Sequence, residues 1–318
     1  MGYDYPLDPE LAAAAALIPP VDLSDLAAAR AAQAREVAGR LAAVDGAGVE
    51  VGQVSAPGPR GGSDVALRTY RPRGAAGPLP AVYSIHGGGF MLGSPDVDHA
   101  VNLPLCRELR AVVVSPDFRL APEHPFPAGL EDCYAGLCAL AKGDAGPDVM
   151  ADRIAVLGDS SGAGMATALT MLARDRGGPA IRFQYLGSPA LDDRLDTPSA
   201  RAFTDTPVWT RDLARRSWEA YLGAGVPGTG DVPPYAAPAR AGAAELRGLP
   251  PAYVAVMEFD PLRDEGIDYA RALLTAGVPT ELHLFPGTFH GSAAVEYAGV
   301  VRRMRAETVA VLRRALAP

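Results

Sequence analysis

Short apolar runs recur along most of the chain, with helical patterns between them. The runs lie at 81–85, 111–115, 154–157, 181–186, 253–257 and 281–285. Their length and β-branched content are typical of buried strands. Segments whose apolar residues follow helical spacing lie at 101–109, 130–140, 163–174, 265–276 and 293–316. Strands that alternate with helices predict an α/β fold, with a mostly parallel central sheet covered by helices on both faces.

Three parts of the chain depart from this alternation. Residues 1–45 are rich in alanine and have helical periodicity, which predicts one or two helices. Two strands at 49–54 and 65–71 flank a Gly/Pro-rich stretch at 56–64, which has the composition of a hairpin loop. About 65 residues separate the strands at 181–186 and 253–257, and a structureless loop of that length is unusual in a compact domain. We expect a helical insertion over one end of the sheet. The alternative is an ordinary crossover with one extra helix.

The charge balance narrows the classes of partner. Acidic residues outnumber basic ones by 37 to 29, which gives a net charge of -8. Nucleic acids and anionic membrane surfaces both require a basic surface, so we expect neither as a partner. The apolar segment at 11–18 is too short to span a bilayer and lacks the basic region of a signal peptide. We therefore expect no membrane insertion and a cytoplasmic location.

The cysteine and lysine content narrows the possible chemistry. Lys142 is the only lysine, and its Gly143-Asp144 context fits neither a Schiff-base lysine, a Ser-Lys dyad nor a phosphate-binding loop. The three cysteines have no metal-binding spacing, and we expect buried free thiols. No His-Glu-x-x-His or Cys-x-x-Cys pattern is present, so a zinc site is not expected.

The run at 154–157 leads directly into Gly158-Asp-Ser-Ser-Gly162, with a helix predicted to follow. This fits a Gly-x-Ser-x-Gly nucleophile elbow, in which the serine occupies a strained turn and its neighbours approach too closely for a Cβ. Ser160 is the candidate nucleophile because only it has glycine two residues before and two after. The backbone N–H of Ser161 is a candidate oxyanion donor. The alternative is a glycine loop with a solvated serine.

His86-Gly-Gly-Gly-Phe90 follows the run at 81–85 and fits the oxyanion loop of lipases and esterases. Glycines allow the backbone to approach a substrate, so the N–H groups of Gly88 and Gly89 are candidate donors to an oxyanion. We interpret His86 as a structural support of this loop, although a role as catalytic base is the alternative.

A serine hydroxyl needs a general base and a carboxylate that orients the base. Asp260 follows the run at 253–257 and His290 follows the run at 281–285, so the order Ser160, Asp260, His290 is that of α/β-hydrolases. His283 is a weaker candidate for the base because it lies inside the strand, and His99 and His124 follow earlier strands, against the expected chain order. Glu258 and Asp264 are weaker candidates for the acid, since Glu258 belongs to the strand and Asp264 could cap the next helix.

At this point the chain resembles the hormone-sensitive-lipase-like family of bacterial esterases (family IV), in its Gly-Asp-Ser-x-Gly branch. The resemblance rests on Tyr70-Arg-Pro72, His86-Gly-Gly-Gly-Phe90, Asp117-Phe-Arg-Leu-Ala-Pro-Glu-His-Pro-Phe-Pro-Ala128, Gly158-Asp-Ser-Ser-Gly162, Asp260-Pro-Leu-Arg-Asp264 and Phe289-His290. Two positions depart from the family pattern. Ser161-Gly162-Ala163 stands where Ala-Gly-Gly is usual, and Phe118 stands where Tyr is common.

The resemblance implies an α/β-hydrolase fold with a helical cap and carboxylesterase activity on short- to medium-chain acyl esters, without a cofactor or metal. It implies Ser160, Asp260 and His290 as catalytic residues, and Gly88, Gly89 and Ser161 as oxyanion donors. It also implies cap helices in 1–45, a catalytic domain in 46–190 and 246–318, and a cap insertion in 191–245. A homodimer through the last strand is suggested as well. The alternatives are a non-catalytic small-molecule receptor on the same scaffold and an amidase or peptidase.

Overall fold

The predicted sheet is present and mostly parallel. The computed structural model describes residues 5–41, 44–59, 62–144 and 146–318. Its strands are β1 (Val49–Ala56), β2 (Val65–Pro72), β3 (Leu79–Ile85), β4 (Val112–Asp117), β5 (Val149–Asp159), β6 (Phe183–Gly187), β7 (Ala252–Phe259) and β8 (Thr280–Phe289). In the described residues these form one sheet in the order β1-β2-β4-β3-β5-β6-β7-β8. Only the contacts that β2 makes with β1 and β4 are antiparallel.

Helices cover both faces of the sheet. They are α1 (Pro9–Ala15), α2 (Leu26–Leu41), α3 (His99–Leu109), α4 (Ala128–Lys142), α5 (Ser161–Asp175), α6 (Pro198–Ala202), α7 (Arg211–Leu222), α8 (Ala243–Leu246), α9 (Arg263–Thr275) and α10 (Gly299–Ala315). Short 3₁₀ turns occur at Pro238–Arg240 and Ser292–Ala294. Helices α4, α5 and α9 pack on one face, and α3 and α10 pack on the other. The α/β prediction is therefore confirmed.

The continuous apolar runs reflect burial on both faces. In β3, Ala81 and Tyr83 join the core under α4 and α5, whereas Val82 between them joins the core under α3 and α10. In β4, Val113 points to the second core and its neighbours point to the first. Successive side chains of a strand face opposite ways, so a strand covered on both faces is apolar at every position.

Three predicted boundaries differ from the structure by four residues or more. Strand β8 extends to Phe289 because a register shift between Met257 and Phe259 of β7 lets the pairing resume at Phe259 and Phe289. This edge strand thereby accommodates Pro286. The last helix begins at Gly299 and not at 293, because Val295 and Ala298 pack sideways against Leu11 of α1. Strand β5 begins five residues earlier than predicted, at Val149.

Of the three regions outside the alternation, two are helical and one is a hairpin, as predicted. Helices α1 and α2 lie within 1–45, of which residues 1–4 and 42–43 fall outside the described part. Strands β1 and β2 pair as the predicted hairpin, and residues 60 and 61 of its loop also lie outside the description. The stretch 191–245 contains α6, α7, a 3₁₀ turn and the start of α8, so it is not a structureless loop.

The three cysteines are free, but they are not equally buried. Cys106 and Cys133 are buried as expected, whereas Cys138 is half-buried, which corrects the expectation for that residue. Burial raises the pKa of the Cys106 thiol to about 12.

In the part of the chain that the structure describes, no helix is both long and apolar enough to cross a bilayer.

A buried ion pair ties the two ends of the insertion together. Asp193 is fully buried, and its carboxylate accepts hydrogen bonds from Arg240 Nε at 2.6 Å and from the Gly228 N–H at 2.7 Å. Arg240 and Gly228, which are far from Asp193 in sequence, thus bind the same carboxylate. A buried charge without its partner is strongly destabilising.

We expect Arg240→Ala to lower the free energy of unfolding by about 3–5 kcal/mol, because it leaves Asp193 buried and uncompensated. Arg201→Ala is the matched control, since the Arg201–Asp196 pair is exposed (62% and 66%). It should change the same quantity by less than about 1 kcal/mol. Urea unfolding of the two variants measures the difference, and equal losses would contradict this account of the insertion.

Candidate active site

Four strands deliver the candidate residues to one edge of the sheet. His86 follows β3, Ser160 follows β5, Asp260 follows β7 and His290 follows β8. These strands are mutually parallel within the sheet, so their carboxyl ends meet at the same edge. Sites in open α/β sheets lie at this edge. The residues are far apart in sequence and become neighbours through the topology.

The turn between β5 and α5 holds Ser160 in a strained backbone conformation. Its φ and ψ are 56° and -125°, which an L residue rarely adopts. A Cβ at Gly162 would lie 2.1 Å from the carbonyl oxygen of Ile85, and one at Gly158 would lie 2.3 Å from the carbonyl oxygen of Gly162. Both contacts are with backbone, which cannot move aside. The glycines of the Gly-x-Ser-x-Gly pattern are therefore required sterically.

Ser160, His290 and Asp260 form a continuous chain of hydrogen bonds. Ser160 Oγ lies 2.9 Å from His290 Nε2, and His290 Nδ1 lies 2.7 Å from Asp260 Oδ2. The other oxygen of Asp260 accepts the N–H of Leu262 at 2.8 Å, which fixes the carboxylate. All three side chains are buried, with exposures of 8%, 6% and 0%. This geometry places a base beside the hydroxyl and an orienting carboxylate behind the base.

The electrostatic surroundings of His290 favour its protonated form. Burial alone lowers the pKa of the imidazole, but the charge and hydrogen bond of Asp260, with a further contribution from Asp159, outweigh it. The pKa of His290 is thus raised above its ordinary value. A base of raised pKa holds the proton taken from serine more firmly during a reaction.

The loop after β3 presents backbone N–H groups beside Ser160. Gly88 and Gly89 have φ of 131° and 59°, a region that favours glycine. A Cβ at Gly87 would lie 3.3 Å from Ser160 Cβ, so this loop and the serine turn are in direct contact. Among the described residues, no acceptor is bonded to the N–H of Gly88, Gly89 or Ser161. The described fold therefore makes no use of the three N–H groups that are predicted as oxyanion donors.

His86 supports this loop and does not contact Ser160 through a hydrogen bond. Its ring is buried, lies 4.3 Å from the ring of Phe118 in a stacked arrangement, and places Nδ1 2.8 Å from the carbonyl oxygen of Gly87. Burial lowers the pKa of His86 to about 4, with the hydrogen bond to Gly87 opposing the shift. These contacts agree with the structural interpretation. Phe118 keeps the ring contact although it lacks a tyrosine hydroxyl.

The weaker candidates lie elsewhere. Glu258 accepts the N–H of Gly287 at 2.7 Å, and Asp264 accepts the N–H of Ser199 at 2.7 Å in the first turn of α9, after the N-cap Leu262. His283 Nδ1 lies 2.7 Å from Glu307 Oε1. His99 Nδ1 lies 3.0 Å from the Tyr70 hydroxyl, and His124 is exposed. None of these side chains is hydrogen-bonded to Ser160 or His290 within the described residues.

Sequence reasoning missed the residues of the insertion that lie over the site. The ring of Trp209 is 5.7 Å from that of His290, and a Cβ at Gly89 would lie 2.7 Å from the Trp209 ring. Ser217 of α7 donates its hydroxyl to the carbonyl oxygen of Gly89 at 2.7 Å. The presence of both tryptophans in the insertion was the only signal, and it did not identify their contacts.

The contact of helix α1 with the segment that carries His290 was missed as well. In α1, Leu11 and Ala15 pack against Phe289, the residue before His290. The N–H of Asp8 donates to the carbonyl oxygen of Gly287 at 2.9 Å. Helix α1 therefore supports the segment that carries His290.

Comparison with known proteins agrees with this geometry. Residues 82–294 match the family Abhydrolase_3, which has the alpha/beta hydrolase fold. The chain belongs to the α/β-hydrolase family. Its relatives place it among the hormone-sensitive-lipase-like members. Carboxylesterase NlhH from Mycobacterium tuberculosis is 40% identical over 263 residues, which cover 80% of this chain and 79% of that protein. Esterase LipI from the same organism is 43% identical over 231 residues, covering 70% and 68%.

Solved structures give the same result for this α/β-hydrolase. A bacterial heroin esterase superposes with a TM-score of 0.94 and 45% identity, covering 98% of each chain. A thermostable esterase from Pseudomonas putida superposes with a TM-score of 0.88 and 29% identity over the whole of both chains. The predicted hydrolase fold is confirmed, and so is the predicted enzyme class, the carboxylic ester hydrolases.

The steric requirement at Gly162 makes a testable prediction. Gly162→Ala should destabilise the protein strongly, because its methyl group would enter the space of the Ile85 backbone. Gly39→Ala in the exposed helix α2 meets no atom within 4 Å and is the matched control. We expect the control to be neutral or stabilising by up to about 1 kcal/mol. Thermal unfolding compares the two, and a Gly162→Ala protein as stable as the control would contradict the steric argument.

Proposed function

We propose that the protein is a serine carboxylesterase that hydrolyses short- to medium-chain acyl esters with Ser160 as nucleophile. The observation that carries the proposal is the hydrogen-bonded chain from Asp260 through His290 to Ser160 at the carboxyl edge of the sheet. Asp260 orients the base, and His290 accepts and returns the proton. Gly88, Gly89 and Ser161 supply the oxyanion donors.

The reaction follows from this arrangement in two halves. Ser160 Oγ attacks the ester carbonyl carbon while His290 Nε2 takes the hydroxyl proton. The N–H groups of Gly88, Gly89 and Ser161 stabilise the negative oxygen that develops. His290 then gives its proton to the departing alcohol, and an acyl-enzyme remains. A water molecule then attacks the acyl carbonyl carbon while His290 takes its proton. His290 returns this proton to Ser160 Oγ as the carboxylic acid leaves.

The insertion favours small substrates. Trp209 and Ser217 contact the oxyanion loop directly, and Ser160 is only 8% exposed. Such an enclosure limits the acyl group and disfavours extended peptides.

We propose that the helices of 1–45 and the insertion 191–245 form the cap, and that 46–190 with 246–318 form the catalytic domain. The intact hydrogen-bonded chain also argues against a non-catalytic receptor.

Two further parts of the proposal concern location and assembly. Three free cysteines favour a reducing compartment, so we keep the cytoplasmic location. Strand β8 is an edge of the sheet, and Leu282 and Leu284 on it are exposed. An edge strand with exposed apolar residues favours pairing with a second copy, which supports the homodimer.

The activity is tested with p-nitrophenyl esters from acetate to palmitate. We expect kcat/KM to peak at short to medium chains and to fall on the order of 10⁶-fold in Ser160→Ala, because the nucleophile is lost. Ser55→Ala on β1, far from the site, is the control and should keep full activity. A matched amide should react far more slowly than the ester. Faster amide turnover would favour an amidase, and no turnover of any ester would refute the proposal.

The pH dependence tests the roles of His290 and Asp260. His290 must be neutral to act as base, so kcat/KM should rise with pH through its raised pKa, above about 6.5. Asp260→Asn removes the main charge that favours the protonated imidazole. The rise of kcat/KM with pH should therefore move to lower pH, and kcat should fall on the order of 10³–10⁴-fold.

Glu258→Gln is the control, since Glu258 lies at the same strand end but bonds to Gly287. In Glu258→Gln, kcat/KM should rise over the same pH range as in the unchanged protein. A limb that Asp260→Asn leaves unmoved would contradict the assignment of His290 as the base.

A further inference from the structure

A cavity that is separate from the candidate active site lies behind the serine turn, on the face of the sheet covered by α3 and α10. Its volume is about 420 Å³. Leu105 of α3, Leu157 of β5, Met257 of β7, and Met304 and Val309 of α10 form its apolar walls. None of the proposed catalytic residues or oxyanion donors lines it. A cavity of this size and character is typical of small-molecule sites.

Two carboxyl groups lie in this cavity without a cationic partner. Asp159, next to Ser160, and Asp98, the N-cap of α3, both line it. Asp98 makes no side-chain bond to the helix terminus, where an N-cap aspartate usually binds. Neither carboxyl is paired with an arginine or lysine in the described part of the chain. Asp159 is exposed and Asp98 is half-buried, so a ligand can reach both carboxyls from solvent.

The two carboxyls interact with each other and with the active site. Partial loss of hydration and the nearby Asp159 charge raise the pKa of Asp98 to about 7, and partial loss of hydration also raises the pKa of Asp159. The charge of Asp159 contributes to the raised pKa of His290. An uncompensated pair of carboxyls lowers stability, and such pairs are concentrated at functional sites.

We propose that this cavity is a second, non-catalytic binding site for a small organic cation, an alkylammonium ion held between Asp98 and Asp159. Its alkyl chain packs against Leu105, Leu157 and Met304. The charge complementarity selects a cation, and the apolar walls select an organic one. A bare metal ion is disfavoured because, within the described residues, no three His, Cys, Asp or Glu side chains are placed to bind it.

The charges around this site are mixed but do not satisfy the two carboxyls. Arg305 at the rim is paired with Glu296 at 2.8 Å, and Arg302 donates to the carbonyl oxygen of Tyr297. The other titratable or charged groups that line the cavity or act electrostatically on Asp159 are Glu108 of α3, Tyr185 of β6, Asp260, His290, Arg302 and Arg305. Both arginines are therefore engaged elsewhere, and neither pairs with Asp98 or Asp159.

Isothermal titration calorimetry of the Ser160→Ala protein at pH 8 tests the site, with hexylammonium chloride and 1-hexanol as matched probes. Above pH 7 Asp98 is charged. We expect hexylammonium to bind at least about tenfold more tightly than hexanol, and Asp98→Asn to weaken its binding about tenfold, the equivalent of about 1.4 kcal/mol. Asp152→Asn, an exposed aspartate on the same strand β5, makes the same charge change and should leave binding unchanged.

A second variant tests the location without changing charge. Ala306 is exposed on α10 and lines the cavity, so Ala306→Trp should obstruct it and abolish binding. Equal affinity for hexylammonium and hexanol, unchanged binding in Asp98→Asn, or no binding by the unmodified cavity would each overturn the proposal.

Coupling to the active site gives an independent readout, which rests on the proposed esterase function. A cation beside Asp159 opposes the negative charge that keeps His290 protonated. Saturating hexylammonium should therefore move the acidic limb of kcat/KM to lower pH, and Asp98→Asn should reduce the shift. Binding by calorimetry with an unmoved limb would refute the coupling alone, whereas absence of binding would refute the site, whatever the esterase assays show.

Discussion

The chain reverses from β5 into α5 at Ser160, within a turn that leaves no space for a Cβ at Gly158 or Gly162. This close packing fixes the height of Ser160 above the sheet and the distance from α5 to the carboxyl end of β3. The loop of Gly87 to Gly89 then has a single place to lie, against the serine turn. The base and acid are placed by the same sheet, because β7 and β8 end beside β5 and β6. The strain at Ser160 is sustained by this surrounding structure.

Helices α2 and α7 both contact the loop that follows β3. Helix α7 bonds to Gly89 through Ser217, and its Tyr221 stacks on Phe90 at 4.0 Å. Arg30 of α2 donates to the carbonyl oxygen of Met91 at 2.9 Å and pairs with Glu123. A helix that moved away would therefore release contacts to the loop after β3.

The sequence was sufficient to predict the fold class, and the structure brings its three candidates Ser160, His290 and Asp260 into hydrogen-bond contact. Motifs such as Gly158-Asp-Ser-Ser-Gly162 are local, and the alternation of strands and helices places each one at a strand end. The start of α10 was missed because it depends on packing between Ala298 and Leu11, which are far apart in sequence. The positions of Trp209 over His290 and of Asp98 beside Asp159 were missed for the same reason. Contacts between distant side chains leave no periodicity that a single sequence could reveal.

The central claim is that Ser160, activated by His290, becomes acylated during turnover. Rapid quenching of the protein in acid after mixing with a p-nitrophenyl ester, followed by mass spectrometry of its peptides, tests this most directly. The account predicts the acyl mass on Ser160, in an amount that matches the initial burst of p-nitrophenol, and its absence in His290→Ala. Acylation of Ser161 or of any other residue, or turnover with an unmodified Ser160, would contradict it.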